Sequence, residues 1–513
     1  MKPFLATSAG LFLAGCARLQ SRVIAGTTGR SRHWSGAPPA MRGVLALVAA
    51  FSLVSTAHAQ QATGQPESKP EAPAAAPPAA APPTAAPPTA APPATADTSS
   101  ERQGTVVDGA TGAPLANVIV TVGDKAVRTD AQGQYKVAAG TEPIMVRLAG
   151  YGRATIPGDA AQPFKLTPLE PKALYLTVYG IAAPFLRDPA LELIEKNKFN
   201  ALVIDIKGDR GLIPYPSKLP LAAKANALTL RTIPDLKELV TTLKKKNLYL
   251  IARIVTFKDT LLAAAHPEWA IHAPGGALWK DREGLAWIDP FRKAAWEYPI
   301  GVAEEAAAAG FDEIQFDYIR FPDTGGGVAY SEASTEASRV GAITGFLREA
   351  RRRLAPYNVF LAMDAFGYVC WNENDTGIGQ HIEDLASVVD VVSPMLYPSG
   401  FQFGIPGYRN PVQNPYEIVN KSLEECKRRT TSTAVRYRPW LQAFTDYAFG
   451  GKYFGADEIG KQTKAARDAR TDGWMLWNPR NVYSPNDIKP EPIDAKAAPA
   501  DAKATDVKAP ATR

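Results

Sequence analysis

Between residues 172 and 484, short apolar runs of strand length alternate eight times with helix-patterned segments. The runs are 174–180, 200–207, 248–255, 312–318, 358–366, 389–397, 439–444 and 473–478. Among the intervening segments, Leu236, Leu239, Val240 and Leu243 form one apolar stripe, and Ile343, Leu347, Ala350 and Leu354 form another, each at the spacing of a single helix face. Parallel strands need helical crossovers of this kind, and such alternation over roughly 300 residues closes into a (β/α)8 barrel. The predicted fold is therefore α/β, with a TIM-type barrel over residues 172–484 as the main domain.

The 513-residue chain is longer than that barrel. Residues 41–59 have the order of a secretory signal: Arg42, an apolar run, then Ala57-His-Ala59 as a small-x-small cleavage site. The run at 44–57 is too short to cross a bilayer. Upstream, Leu13-Ala-Gly-Cys16 resembles a lipoprotein box. Two readings follow: Met41 as the functional start with 1–40 untranslated, or a lipid anchor at Cys16, the one route to a membrane. Both export the protein to the periplasm, the cell envelope or the outside. Residues 60–102 are Ala/Pro/Thr repeats that cannot bury a core and read as a disordered tether. Residues 485–513, rich in Ala, Lys, Asp and Pro, read as a disordered tail.

From 103 to 170 short alternating strands are punctuated by Asp108-Gly109, Gly123-Asp124 and Asp130-Ala-Gln-Gly133, the pattern of a small all-β sandwich. Its Gly-Ala-Pro-Leu-Ala-Asn-Val and Thr-Asp-Ala-Gln-Gly-Gln-Tyr runs resemble carboxypeptidase regulatory-like domains, which implies an accessory module, either glycan-binding or a rigid spacer. The net charge of +6 is modest and spread out, and gives no nucleic-acid footprint. Cys16, Cys370 and Cys426 fit no metal spacing; Cys370 and Cys426 either pair or stay as buried thiols. Neither metal nor cofactor is expected, and the sequence does not speak to oligomeric state.

In a barrel of this kind the site lies where the strands end, and inward positions alternate with helix-facing ones. That parity places Asp205 and Lys207 inward on the second strand, Arg253 on the third, Gln315 and Asp317 on the fourth, and Asp364 on the fifth. The sixth contributes Ser393, Met395 and Tyr397, the seventh Gln442, the eighth Trp477 beside Asn478, and the first Tyr179. Arg320 and Glu373 follow on loops. Paired carboxylates among aromatic rings are what glycoside hydrolysis needs: one acid to protonate the leaving oxygen, one ionised group to attack or to activate water. Asp317 and Asp364, at matching heights on adjacent strands, are the expected catalytic pair, with Glu373 as the reserve acid. Asp205, Lys207, Arg253, Gln315, Arg320, Tyr397, Gln442, Trp477 and Asn478 are the expected substrate-binding set. Ion pairs of Asp205 with Lys207 or Arg253, and of Asp317 with Arg320, are the structural alternative.

Four motifs, Val203-Ile-Asp-Ile-Lys-Gly-Asp-Arg-Gly211, Phe311-Asp-Glu-Ile-Gln-Phe-Asp-Tyr-Ile-Arg-Phe-Pro322, Val392-Ser-Pro-Met-Leu-Tyr-Pro398 and Gly473-Trp-Met-Leu-Trp-Asn478, resemble a bacterial family of glycoside hydrolase-like (β/α)8 barrels. The resemblance spans 172–484. It implies Asp317 as the key strand-four carboxylate, with Asp205, Tyr397 and Trp477 lining the cleft. Many such barrels carry a Glu acid near strand five, where this chain has Asp364 and the loop residue Glu373. The expected function is hydrolysis of an O-glycosidic bond in a polysaccharide or cell-wall glycan. The alternative is a barrel that binds such a glycan without cleaving it.

Overall fold

The computed structural model describes residues 101–157, 162–431 and 434–490. The leader, the lipoprotein box, nearly all of the tether and most of the tail lie outside them.

Seven short strands build the N-terminal sandwich: β1 (Arg102–Asp108), β2 (Ile119–Val122), β3 (Lys125–Arg128), β4 (Gln134–Val137), β5 (Ile144–Arg147), β6 (Ala154–Ile156) and β7 (Phe164–Leu166). They form two sheets, ordered β4-β1-β7 and β3-β2-β5-β6. Alternate residues face inward, so Val106, Val118, Val120, Tyr135, Val146, Ile156 and Leu166 make the core.

The barrel follows as β8 (Lys172–Leu176), β9 (Ala201–Lys207), β10 (Tyr249–Val255), β11 (Glu313–Asp317), β12 (Phe360–Phe366), β13 (Val391–Met395), β14 (Arg436–Tyr437), β15 (Trp440–Gln442) and β16 (Trp474–Trp477). Every pairing is parallel, and the ring closes through β16 on β8 and β12 on β13. The seventh stave is split into β14 and β15 at Arg438-Pro439. Proline cannot donate to the ladder, and Arg438 instead turns inward to Glu313 (2.7 Å) and Asp472 (2.7 Å). The helices α1 (Pro184–Lys196), α2 (Pro220–Lys224), α3 (Leu236–Lys244), α4 (Thr260–Ala265), α5 (Lys293–Ala309), α6 (Glu336–Leu354), α7 (Ile382–Ala386), α8 (Pro415–Arg429) and α9 (Ala456–Asp468) accompany the strands. The predicted stripes face the barrel: Leu236, Val240 and Leu243 on α3, and Ile343, Leu347, Ala350 and Leu354 on α6, are buried.

The inward residues of β11 form polar levels where such barrels usually stack aliphatic ones. At the N-terminal end Glu313 meets Arg438 and the Tyr249 hydroxyl (2.8 Å). In the middle, the Gln315 amide donates to Ser393 Oγ (3.1 Å). At the C-terminal end lies Asp317. The sandwich docks against the opposite, N-terminal end of the barrel. Arg153 pairs with Asp312, just ahead of β11, and donates to the carbonyls of Gly310 and Tyr357. Asn358, just ahead of β12, accepts from Arg147 and donates to Val146 and Ala154. That placement keeps the sandwich off the strand exits.

Cys370, in the turn after β12, is disulfide-bonded to Cys426 on α8, and both are fully buried. This resolves the pair-or-thiol alternative in favour of the pair. Closing a loop of 56 residues restricts the unfolded chain by about 4 kcal/mol in the chain-entropy model. The double substitution Cys370→Ser/Cys426→Ser is expected to lose stability on that order in chemical denaturation. Reductant should lower the melting temperature of the unsubstituted chain and leave that of the double variant unmoved.

Candidate active site

Arg253, inward on β10, is the centre of the strand-end cluster. Its Nη1 donates to Asp205 Oδ1 (2.6 Å) on β9, and its Nε (3.0 Å) and Nη2 both reach Asp317 Oδ2 on β11. The same Nε stands 3.7 Å from Asp364 Oδ2 on β12. Phe316 lies opposite Met363 in the β11–β12 register, so Asp317 and Asp364 leave their strands at one height. Trp477 on β16 lies over the guanidinium at 4.9 Å and stacks on Tyr175 of β8 at 4.0 Å. Tyr175 donates its hydroxyl to Asp205 Oδ2 (2.6 Å). Three carboxylates, one cation and two stacked rings therefore meet at the mouth of the barrel.

The carboxylates differ in their surroundings. Asp317 accepts from Arg253 at one oxygen and from the Tyr318 backbone N–H at the other. Tyr318 adopts φ +48°, a left-handed conformation uncommon for an aromatic residue and of the kind that stores strain beside functional groups. Asp364 accepts from the Trp440 indole at Oδ1 (2.7 Å), while Oδ2 is buried without a hydrogen-bond partner. Burial, reinforced by the charge of Asp317, holds the Asp364 carboxyl well above the usual carboxylate range. Burial likewise raises Asp205 to about 6, against the pull of Arg253 and Tyr175. Gln315 Oε1 and Trp477 Nε1 are also buried and unpartnered. Buried polar atoms normally find partners, and the gathering of three such atoms in the barrel interior points to polar ligand groups.

Several expectations are corrected. Lys207 leaves the cluster because the register slips between Arg253 and Ile254, opposite Asp205 and Lys207. It pairs with Asp259 (2.8 Å), the N-cap of α4, and donates to Val255 O. Gly211 of the same motif packs where a Cβ would lie 2.2 Å from Asp259 Oδ1, so this part of the motif builds a loop. Arg320 forms no ion pair with Asp317 among the described residues; it stacks on Trp287 (4.9 Å) and Tyr318 (5.4 Å) and donates to Phe321 O. Glu373 is exposed on the turn after β12, with Arg428 of the outer helix α8 in electrostatic range, and takes no part in the cluster. Gln442 and Asn478 are consumed in loop hydrogen bonds, to Ser399 and Phe444 and to Ala443 and Val482 respectively. Tyr397 is buried edge-on to Phe444 at 5.6 Å.

Tyr175 was missed because the first strand ends at Leu176 and Tyr179 falls in the turn beyond, 40% exposed. The same alternation run four residues earlier, with Leu174 and Leu176 outward, selects Tyr175. The Trp440 bond to Asp364 has no counterpart in strand parity.

Asp205 supplies a pH test. With a folded-state value of about 6 against about 3.9 in the unfolded chain, the native protein keeps a proton that the unfolded chain has released. Stability therefore falls as pH rises from about 4 to about 6, by on the order of 2–3 kcal/mol. Urea titrations across that window should show the decline, and the slope due to this group should vanish in Asp205→Asn.

Residues 173–483 match the family DUF4015, described as a putative glycosyl hydrolase domain. A hypothetical protein from Ruminiclostridium thermocellum is 35% identical over 37% of this chain and 96% of its own, with TM-score 0.34. The glycoside hydrolase domain of PgaB (BpsB) from Bordetella bronchiseptica is 14% identical over 61% of this chain and 94% of its own, TM-score 0.44. A chitinase from Chromobacterium violaceum is 12% identical over 60% and 93%, TM-score 0.36. None of the curated proteins matches this chain. With more than half of its length matched, the chain belongs to the DUF4015 family of glycosyl hydrolase-like (β/α)8 barrels.

Proposed function

We propose that the barrel hydrolyses a glycosidic bond of a polysaccharide, with Asp364 as general acid and Asp317 as its ionised partner. The observation that carries this reading is the contrast between two carboxyls at one height. Asp317 is held by Arg253 and a backbone N–H, whereas Asp364 has one buried oxygen without a hydrogen-bond partner, and burial beside Asp317 favours its protonated form. Two carboxyls in different environments can take the acid and base roles.

Both Asp317 Oδ2 and Asp364 Oδ2 lie close to one nitrogen, Arg253 Nε. Those oxygens are thus no farther apart than the two distances together, at the low edge of the roughly 6.5–9.5 Å that an interposed water needs. This favours the retaining course. Asp364 gives its proton to the glycosidic oxygen as the C–O bond breaks, and Asp317 bonds to the anomeric carbon. Asp364, now ionised, takes a proton from water as that water displaces Asp317. Trp477, backed by the fully buried Tyr175, is the aromatic ring that lies beside Arg253. The disulfide suits the oxidising compartment expected from the leader.

Asp364→Asn puts a neutral isostere in place of a buried carboxyl whose protonated form burial favours, so it should fold with its melting temperature retained. Sugar release from a panel of envelope and plant polysaccharides is expected to fall about 10²–10⁴-fold in this variant. Asp317→Asn should lose release as well. In the unsubstituted chain, release should decline as pH rises through the Asp364 ionisation, and Asp364→Asn should lack that limb. Unchanged release in folded Asp364→Asn would reject the assignment, and glycan binding without any release would make the barrel a lectin.

A further inference from the structure

The large apolar side chains exposed among the described residues are not scattered. Apart from Val127 in the sandwich, they are Tyr179, Phe185 (77%), Phe403 (56%), Tyr453 (59%) and Val482. Tyr179 and Phe185 follow β8, Phe403 follows β13, Tyr453 follows β15, and Val482 follows β16. Those four strands are consecutive neighbours around the ring. All five side chains thus crown one arc of the strand-exit rim, the end where the carboxylate cluster opens. The loops after β9 to β12 expose none, and carry Arg210, Lys280 and Arg282 instead. Single exposed apolar residues are ordinary; a set gathered beside a site marks an interaction surface.

The arc is also rigid, because each loop is bonded to the next. Ser399 after β13 donates to Asp446 after β15 (2.7 Å), and Gln442 accepts from the Ser399 N–H (3.0 Å). Asn478 after β16 donates to Ala443 after β15 (2.7 Å). Asn481 accepts from both the Thr177 N–H (2.9 Å) and its hydroxyl (2.7 Å), joining the loops after β16 and β8. The Phe403 N–H donates to the Tyr368 hydroxyl (3.0 Å), and the Tyr453 hydroxyl bonds Asp487. Exposed rings on a fixed backbone lose little freedom on binding. Trp477 and Tyr175 are buried on β16 and β8, two of the same four strands, beside Arg253.

Resting on the glycosidase reading, we infer that this arc is a docking platform for an unbranched polysaccharide, gripped beyond the bond that is cleaved. Sugar rings present flat C–H faces with polar edges, which suits aromatic side chains set among Asp487, Arg480 and Asn410 better than a continuous apolar partner would. The arc lies on the same rim of the barrel as the cluster, and two of its strands, β8 and β16, carry Tyr175 and Trp477 beside Arg253, so one extended chain could engage both.

The test uses the full chain carrying Asp364→Asn, titrated calorimetrically with disaccharides and hexasaccharides of the chitin and cellulose series. In at least one series the hexasaccharide should bind about tenfold tighter, the equivalent of roughly 1.4 kcal/mol. Adding Phe185→Ala and Phe403→Ala should erase most of that gain. Equal affinity for short and long chains, no binding in either series, or a gain that survives the two substitutions overturns the inference. Self-association that depends on Phe185 and Phe403, without any length effect, would make the arc a protein interface and overturn it equally. Length-dependent binding with no sugar release by the unsubstituted chain would reject hydrolysis and keep the platform. Release without a length effect would do the reverse.

Discussion

A single guanidinium decides which charges the mouth of this barrel can carry. Arg253 is buried among Asp205, Asp317 and Asp364, and each of those groups is tolerable there because of it. One cation cannot neutralise three carboxylates in a low-dielectric site. That arithmetic, together with burial, favours the protonated form of Asp364. The different settings of the carboxyls are consequences of one arrangement, in which Arg253 leans on Asp205 and Asp317 and leaves Asp364 at the margin of its reach.

Around that centre the polar residues sort into two kinds. Of those facing the open end, Asp205 and Asp317 have both oxygens engaged, while Asp364 Oδ2 and Trp477 Nε1 are without hydrogen-bond partners. Those that shape the rim are fully engaged, as Gln442, Ser399, Asp446, Asn478 and Asn481 show. Hydrogen-bonding capacity spent on loops is unavailable to a substrate, and what is left unspent marks where a substrate can be held. The contrast separates construction from recognition more sharply than residue type does.

The barrel itself was legible in the chain, because eight strand periods and the stripes on α3 and α6 are local patterns. So were Asp205, Arg253, Asp317, Asp364 and Trp477, which follow from strict alternation. The failures lie where alternation breaks. A slipped register removes Lys207. A left-handed Tyr318 turns the chain just before Arg320. A first strand that stops at Leu176 exchanges Tyr179 for Tyr175. The roles of Gln442 and Asn478 depend on partners in other loops, which no spacing along one strand encodes. Glu373 was favoured by residue type and by its place on the loop after the fifth strand, and the chain after β12 turns it to solvent beside α8.

The charges at the closed end have a different consequence. Glu313 belongs to the fourth stave, and the cation that compensates it, Arg438, arrives only with the seventh. Many barrels of this architecture can be thought of as two halves joined face to face. Here a half ending after the fourth or fifth stave would hold Glu313 without its counter-ion, while the other half would keep Arg438 on Asp472 alone. The first half is thus incomplete by itself, so this barrel should resist division into independently stable fragments.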